Sequence, residues 1–316
     1  MAISNIKGVF CCGNISFDIP VWPVEKFAWG TTTWVETIAE SVGGNGGNTS
    51  YALGTLGVPV RLCGMVGRDP HGDWVLARLR ESGVDIRSVG RCDVPTNVSI
   101  CVVHPSADRL FLHRLGASTA VTADSLTFAD PDGYSHFHLA NLFSLPNLRP
   151  RVPDVLRRAK ALGLTTSLDT GWDARGVWMP DLAPCLPHID LLFLNESEAG
   201  NFTGSDDPVE AAGILRDSGA RDIVLKLGAA GSIVFPQGQQ PYRAAAFAVQ
   251  ALDTTGAGDC YAGGFLAALH RGFSYAEAAV FANAVGAMKV EMLGAAQGVK
   301  SFEETRGWIA QAKLVG

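Results

Sequence analysis

From Phe137 to Gly228 the sequence keeps a rhythm that few folds accommodate. A short apolar run, Phe137 to Ala140, is followed by a helical pattern from Val152 to Leu162 that stops at Gly163. Another run, Thr165 to Leu168, leads to Asp169, and a fully apolar one, Leu191 to Leu194, ends at Asn195. A helical stretch from Val209 to Asp217 stops at Gly219, and a run from Ile223 to Leu227 ends at Gly228. Strands separated by helices return by crossover, which predicts a parallel sheet with helices on both faces.

The N-terminal half supplies more of the same. Gly8 to Cys12 reads as a buried strand closed by Gly13, and Val60 to Gly67 as another. Asp73 to Glu81 reads as a helix that stops at Ser82-Gly83. Polar residues recur just after the strands: Asp18, Asp169, Asn195, Glu198 and Lys226. Ligands of open α/β sheets bind at the carboxyl ends of strands, so these residues are expected on one edge of one sheet. A stretch with bulky aromatics (Val21, Trp22, Phe27, Trp29, Trp34, Val35) suggests strands outside that sheet. Ser99 to Val103 and Arg109 to Leu115 flank the turn His104 to Asp108 and read as a hairpin. Together these segments predict a small second sheet.

Two glycine-rich turns stand out. Gly43-Gly44-Asn45-Gly46-Gly47-Asn48 lets the backbone press against a small polar ligand, with Asn48 expected to cap the helix that follows. Its spacing fails as a dinucleotide fingerprint. Asp253-Thr254-Thr255-Gly256-Ala257-Gly258-Asp259 runs straight into a helix. Free N–H groups and a partial positive charge at a helix start make Gly256, Ala257 and Gly258 an anion cradle. A carboxylate beside such a cradle is repelled by its ligand. Asp259 is reasonable there either as a simple helix cap or as a base that takes a hydroxyl proton while the amides hold a phosphoryl group.

The string Asp253 to Phe265 resembles the C-terminal signature of the ribokinase, or phosphofructokinase-B, family of sugar kinases. The glycine turn at Gly43, with Asn48, Ala52 and Leu56-Gly57, resembles that family's N-terminal signature, and the resemblance spans the chain. It implies a three-layer α/β/α fold with a mostly parallel central sheet, one kinase domain over 1–316, and a small β-sheet lid at about 19–42 and 95–116. It implies an ATP-dependent phosphotransferase with Asp259 as base and the Gly256-Ala257-Gly258 amides as anion hole. Asp18, Gly43, Gly44 and Asn48 would hold the sugar; Asn195, Lys226, Gly228, Gly231 and Asn283 the nucleotide; Glu198 the Mg²⁺ region. Many relatives hold a monovalent cation such as K⁺ beside the anion turn; Asp253 and carbonyls near Gly294 to Gly298 are the candidates, although Lys300 stands where the family often has proline. Lys226-Leu227-Gly228 also departs from the Thr-x-Gly common in the family. The lid is often a dimer surface, so a homodimer through it is expected.

The substrate is less constrained. Acid-sugar kinases of the family often carry Asp-x-Asn-x-Arg where this chain has Asp169 to Arg175, without that Asn or that Arg spacing. Ribokinases carry a substrate-facing Glu near Leu139, where this chain has Ala140-Asn141-Leu142. A sugar kinase is the leading reading; a nucleoside kinase of the same fold and a non-catalytic sugar-sensing relative are the alternatives. A dehydrogenase lacks its fingerprint, a P-loop enzyme its Gly-x-x-x-x-Gly-Lys-Ser/Thr, and a protein kinase its His-Arg-Asp and Asp-Phe-Gly. His136-x-His138 shares a strand face but has no third ligand in view.

A net charge of -6 argues against nucleic-acid or anionic-membrane partners. No apolar run spans a membrane, and Met1 to Gly8 does not read as a secretory signal. Seven cysteines without a Cys-x-x-Cys pair fit reduced thiols, so a cytoplasmic location is expected.

Overall fold

The computed structural model describes residues 3, 6–26, 28–128 and 133–315. The expectation for Phe27, and that for the first residues where they include Met1, Ala2, Ser4 and Asn5, lie outside the described residues. In chain order the strands are β1 (Val9–Cys12), β2 (Ser16–Trp22), β3 (Thr37–Ile38), β4 (Ser41–Gly43), β5 (Val60–Gly67), β6 (Val84–Asp85), β7 (Val89–Cys92), β8 (Asn97–Val103) and β9 (Arg109–Arg114). They continue with β10 (His136–Leu139), β11 (Thr165–Asp169), β12 (Leu191–Asn195), β13 (Asp222–Lys226), β14 (Ser232–Phe235) and β15 (Tyr242–Ala244). The helices are α1 (Asn45–Thr55), α2 (Pro70–Glu81), α3 (Val152–Ala161), α4 (Met179–Leu182), α5 (Glu196–Thr203), α6 (Pro208–Asp217), α7 (Ala257–His270), α8 (Tyr275–Val290) and α9 (Phe302–Ile309).

The main sheet runs β15-β14-β13-β12-β11-β10-β1-β5-β6, with β7 also on β5. It is parallel from β13 through β6, while β14 and β15 are antiparallel. Its apolar strands are buried on both faces because side chains alternate. Cys11, Phe193 and Val224 join the core under α1, α7 and α8. Their neighbours Cys12, Leu192, Leu194, Ile223 and Leu225 join the opposite core, with Val155, Leu156, Ala211 and Leu215 of α3 and α6. The three-layer α/β/α expectation holds.

The chain builds outward from β1 to β5 and β6, then returns to place β10 on the other side of β1. That reversal puts a crevice beyond the carboxyl ends of β1 and β10, the place where open α/β sheets take ligands.

The second sheet, β3-β2-β8-β9 with β4 on β2, draws on 16–43 and 97–114. The hairpin of β8 and β9 forms as expected, with Val103 opposite Arg109. The aromatic stretch forms strand only at its start, where Val21 and Trp22 end β2; among the described residues between Pro23 and Glu40 only Thr37–Ile38 is a strand, and Trp29 and Trp34 stand in loop, 104% and 89% exposed. Aromatic strand preference needs a neighbouring surface to pack on, and none is there. The sequence after Ser301 reads as a last helix to Lys313, but α9 ends early, at Ile309. The Ser-x-x-Glu spacings at Ser301–Glu304 and Ser274–Glu277 predict capping boxes, and both form, on α9 and α8.

Candidate functional site

Gly256 opens the site. Its φ of 71° lies in the left-handed region, and a Cβ there would stand 2.1 Å from the Ala295 carbonyl oxygen. Only glycine fits, and it is the N-cap of α7. The N–H of Ala257 turns back to the Thr254 carbonyl at 3.3 Å. The first-turn amides beyond it, starting with Gly258, have no intrahelical acceptor.

Asp259 does not cap this helix. It sits in the first turn, buried, and its two carboxylate oxygens accept from side chains of α1: Oδ1 from Asn45 Nδ2 and Oδ2 from Asn48 Nδ2, both at 2.8 Å. Burial raises its carboxyl above the usual range, and the Asn48 and Asn45 amides pull it back. Asn48 therefore has another job than the cap expected of it. The helix starts three residues earlier, at Asn45 behind Gly44, and Asn48 reaches across to α7. Its Oδ1 is buried and has no hydrogen-bond partner among the described residues. Asn45 carries the network to the switch-point crevice, where its Oδ1 accepts from Asn141 Nδ2 at 2.9 Å and its N–H donates to Asn14 Oδ1 at 3.0 Å.

Asp18 is not at the edge of the main sheet. It lies inside β2 of the small sheet, buried, against the glycine turn. Gly43 is needed for that contact, since a Cβ there would fall 2.0 Å from the Asp18 carboxyl. Ser16 donates to Asp18 Oδ1 at 2.5 Å, and the Cys101 thiol lies 3.8 Å from Oδ2. Burial pushes the Asp18 carboxyl up to about 6 against those hydrogen bonds.

On the other side of α7, the ends of β11, β12 and β13 bring Asp169, Asn195 and Lys226 together; Asn195 and Lys226 are register partners. Lys226 is no exposed strand end. Its ammonium donates to Asp169 Oδ2 at 2.6 Å and stands where a Cβ on Gly258 would be 3.2 Å away. Burial pushes the Asp169 carboxyl up to about 7, against the Lys226 charge. Burial would lower Lys226, but the carboxylates of Asp169 and Glu198 outweigh it and raise the ammonium. Glu198 closes a capping box with Asn195, and its Oε2 also accepts from Thr170 Oγ1 at 3.0 Å.

A cavity of about 490 Å³ opens beside the turn. Lys226, Gly228, Gly231, Gly258 and Asn283 line it, with an apolar wall that includes Phe247, Val249, Ala287 and Val290. Asn195 is not on that wall. The Asn283 amide nitrogen is spent on the carbonyls of Ala244 and Ala245, at 3.1 and 3.0 Å. The tip of the β8–β9 hairpin reaches the turn: Arg109 donates to Thr254 Oγ1, which in turn faces the Ala107 carbonyl at 3.5 Å.

Asp253 holds the start of the turn, its Oδ1 on the Thr255 N–H and its Oδ2 on the Gly294 N–H, both at 2.9 Å. His136 and His138 are core residues bonded to Ser167 Oγ, at 2.6 and 2.7 Å, and burial keeps both below the usual histidine range. Asp173 pairs with Arg149 in a bidentate contact, 2.8 and 2.9 Å, and ties down its own loop. Asn45 and Asn141 complete the site without having been singled out in the sequence, and Asp169, expected at the ligand edge, had no role assigned there. The signals for them were Asn45's place between two glycine pairs and the position of the other two at strand ends.

The profile of the pfkB family of carbohydrate kinases matches residues 8–301. The chain is 32% identical over 294 residues to the ATP-dependent ribose-1-phosphate kinase of Halopiger xanaduensis, covering 91% of this chain and 93% of that one. It is 27% identical over 299 residues to the ribokinase of Arabidopsis thaliana, covering 90% and 76%. A structure from E. coli in complex with ATP and Mg²⁺ superposes with a TM-score of 0.85 at 23% identity, covering 96% and 99%.

Proposed function

The chain belongs to the pfkB family of ATP-dependent carbohydrate kinases, and on that premise we propose that it transfers the terminal phosphoryl group of ATP to a hydroxyl of a small sugar or sugar-like acceptor, with Asp259 as general base. One observation carries this reading. A buried carboxylate is fixed by the amides of Asn45 and Asn48 at the first turn of a helix whose start, with the Lys226 ammonium, adjoins a cavity large enough for a nucleotide. A negative group beside an anion cradle is repelled by its ligand unless it takes part in the chemistry.

Asp259 accepts the proton of the acceptor hydroxyl as its oxygen bonds to the terminal phosphorus. The bond from that phosphorus to the bridging oxygen breaks, and ADP leaves. The turn Gly256-Ala257-Gly258 and Lys226 hold the charge that moves with the phosphoryl group. Because the Ala257 amide is engaged by Thr254, the Gly256 and Gly258 amides do most of this work. The apolar wall receives the base, with Gly228, Gly231 and Asn283 along the nucleotide and Asn195 beside Lys226.

The buried carboxylate of Glu198, an oxygen donor beside Lys226 and Asp169, fits a hard cation held chiefly through phosphates and water. Mg²⁺ held there would neutralise phosphate charge. Asp18 and the unpartnered Asn48 Oδ1 accept from substrate hydroxyls, with Gly43 and Gly44 against the ring. A nucleoside presents the same hydroxyls through its ribose.

The small sheet serves as a lid over that acceptor. Its edge strand β9 leaves Leu110, Phe111 and Leu112 exposed at 49%, 45% and 55%. An unpaired apolar edge of this kind calls for a partner, and we assign it to a second copy of the chain. Cys11, Cys12, Cys63, Cys101, Cys185 and Cys260 are buried, Cys92 is half-buried, and all are unpaired, which fits a reducing cytoplasm. No helix among the described residues is long and apolar enough to cross a membrane.

The test is a panel of sugars and nucleosides with ATP and Mg²⁺, read as ADP release. One acceptor class raises ADP release well above the ATP-only background. A flat panel from protein that binds ATP would overturn the reading.

A further inference from the structure

Lys289 stands on the last turn of α8, 0% exposed, and is among the largest side chains sealed in the interior. Its Nζ donates to the Asp253 carbonyl at 2.5 Å and to the Met292 carbonyl at 3.5 Å, and lies 3.8 Å from Asp253 Oδ2. A buried ammonium is costly to desolvate, so its surroundings must repay it.

Those surroundings are not those of an ordinary ion pair. Both Asp253 carboxylate oxygens already accept backbone N–H groups, from Thr255 and Gly294. The closest contacts of the ammonium are instead main-chain carbonyls, with the carboxylate one step further out. Backbone carbonyl oxygens, of which the ammonium meets two, are also what proteins use to replace the hydration shell of potassium. The C-terminal end of α8, which favours positive charge, adds to the attraction.

The same place braces the anion turn. The Val290 carbonyl accepts from the N–H groups of Leu252 and Asp253, at 2.7 and 3.0 Å. The loop after Met292 turns at Gly294 and Gly298, both with positive φ, and lays the Ala295 carbonyl against Gly256.

We propose that the Lys289 ammonium is a built-in substitute for a monovalent metal ion, so that this chain needs no K⁺ to hold its anion turn in shape. This disagrees with the K⁺ site that the family resemblance led us to expect at Asp253 and the carbonyls near Gly294 to Gly298: the ammonium occupies the Asp253 side of that place, between Asp253 and Met292. A metal ion on the same carbonyls would sit against a fixed positive charge, which repels it. Burial pulls Lys289 below the ordinary lysine range, and Asp253 pulls it back up. Lys289 is a positioning residue: it acts on the phosphoryl site through Asp253 and the loop after Met292.

The proposal rests on the kinase reading only where activity is measured, so the experiment has two arms. In the first, the melting temperature of the wild-type protein is recorded in K⁺, Na⁺ and tetramethylammonium chlorides at equal ionic strength. A bound cation would stabilise the fold by mass action; the expected result is the same melting temperature in all three. This arm reads out even if no acceptor is found. In the second, ADP release with the active acceptor is measured in the same salts, and rates agree to within about twofold because a fixed ammonium has no concentration dependence. Lys289→Ala loses activity and recovers it saturably with added K⁺ or NH₄⁺, a rescue that a merely structural lysine would not allow. Saturable activation of the wild type by K⁺, or a melting temperature that rises in K⁺ alone, overturns the proposal. A folded Lys289→Ala variant with wild-type turnover in tetramethylammonium overturns it as well.

Discussion

Asn48 and Asp259 lie 211 positions apart in the chain, and Asn48 Nδ2 donates to Asp259 Oδ2 at 2.8 Å. With Asn45 on the other oxygen, the carboxylate is oriented by neutral donors that leave its charge in place. Donors to the charged form favour it, so they lower a carboxyl that burial raises. A general base works only when ionised. Asn48→Ala therefore moves the acid limb of the kcat/KM profile to higher pH, and lowers the plateau by about tenfold or more through loss of a charge-assisted hydrogen bond. A pH–rate series on the two proteins measures both, and an unmoved acid limb would remove Asn48 from this role.

Asp18 makes a second pH dependence. Its carboxyl titrates at about 6, raised by burial from the ordinary 3.8. Accepting a substrate hydroxyl requires the ionised form, so acceptor KM rises as pH falls below about 6 while KM for ATP stays level. Asp18→Ala raises acceptor KM by roughly 10- to 100-fold above about pH 6, where the wild-type carboxylate is ionised, and by less below it, as expected for an unpaired buried hydroxyl. The stability effect has the opposite sign. A carboxyl raised on folding contributes stability that is present below about 4 and lost as pH rises through about 6. Asp18→Asn thus melts at a higher temperature than wild type at pH 8. Calorimetry at pH 4 and pH 8 checks this; equal melting temperatures at pH 8 would count against the burial argument.

Lys226 binds both Asp169 and the phosphate side of the turn. Lys226→Met leaves a buried carboxylate unpaired, a loss of about 3–5 kcal/mol where such pairs are broken by removing one partner. The double variant Lys226→Met, Asp169→Asn removes that strain and regains stability. ATP turnover does not return with it, because the cation beside Gly258 is still missing. Denaturant melts and steady-state kinetics on the three proteins separate the two roles. Recovery of turnover in the double variant would make Lys226 purely structural.

The exposed edge of β9 predicts assembly. Light scattering of the wild type at high protein concentration gives the mass of a dimer, and Phe111→Glu in the middle of the strand gives a monomer. A wild-type monomer at that concentration contradicts the lid-to-lid pairing.

Much of the fold was legible because buried parallel strands are written as apolar runs closed by glycine or a polar residue. Val60–Gly67 was read with its observed limits, and Leu191–Asn195 within one residue. The antiparallel pair β14 and β15 went unread because both strands are short and set among glycines, prolines and polar residues. Local spacing also misled. Asn48 looked like a cap because Ser, Thr, Asp and Asn ahead of helices usually are, yet the helix had already begun at Asn45. Asp18 followed a strand in sequence but belongs to the next one, in another sheet. Partnerships such as Asn45 with Asp259, 214 positions apart, leave no local trace at all. They arise only when α1 and α7 meet over the crevice beside β1.

The most direct test of the account is Asp259→Asn. Asparagine keeps the size and polarity of the side chain and removes its basicity. With the acceptor found in the panel, the account predicts that kcat falls by about 10²- to 10⁴-fold, as general-base loss commonly does, while ATP affinity by calorimetric titration stays close to wild type. Turnover by Asp259→Asn at the wild-type rate would contradict it.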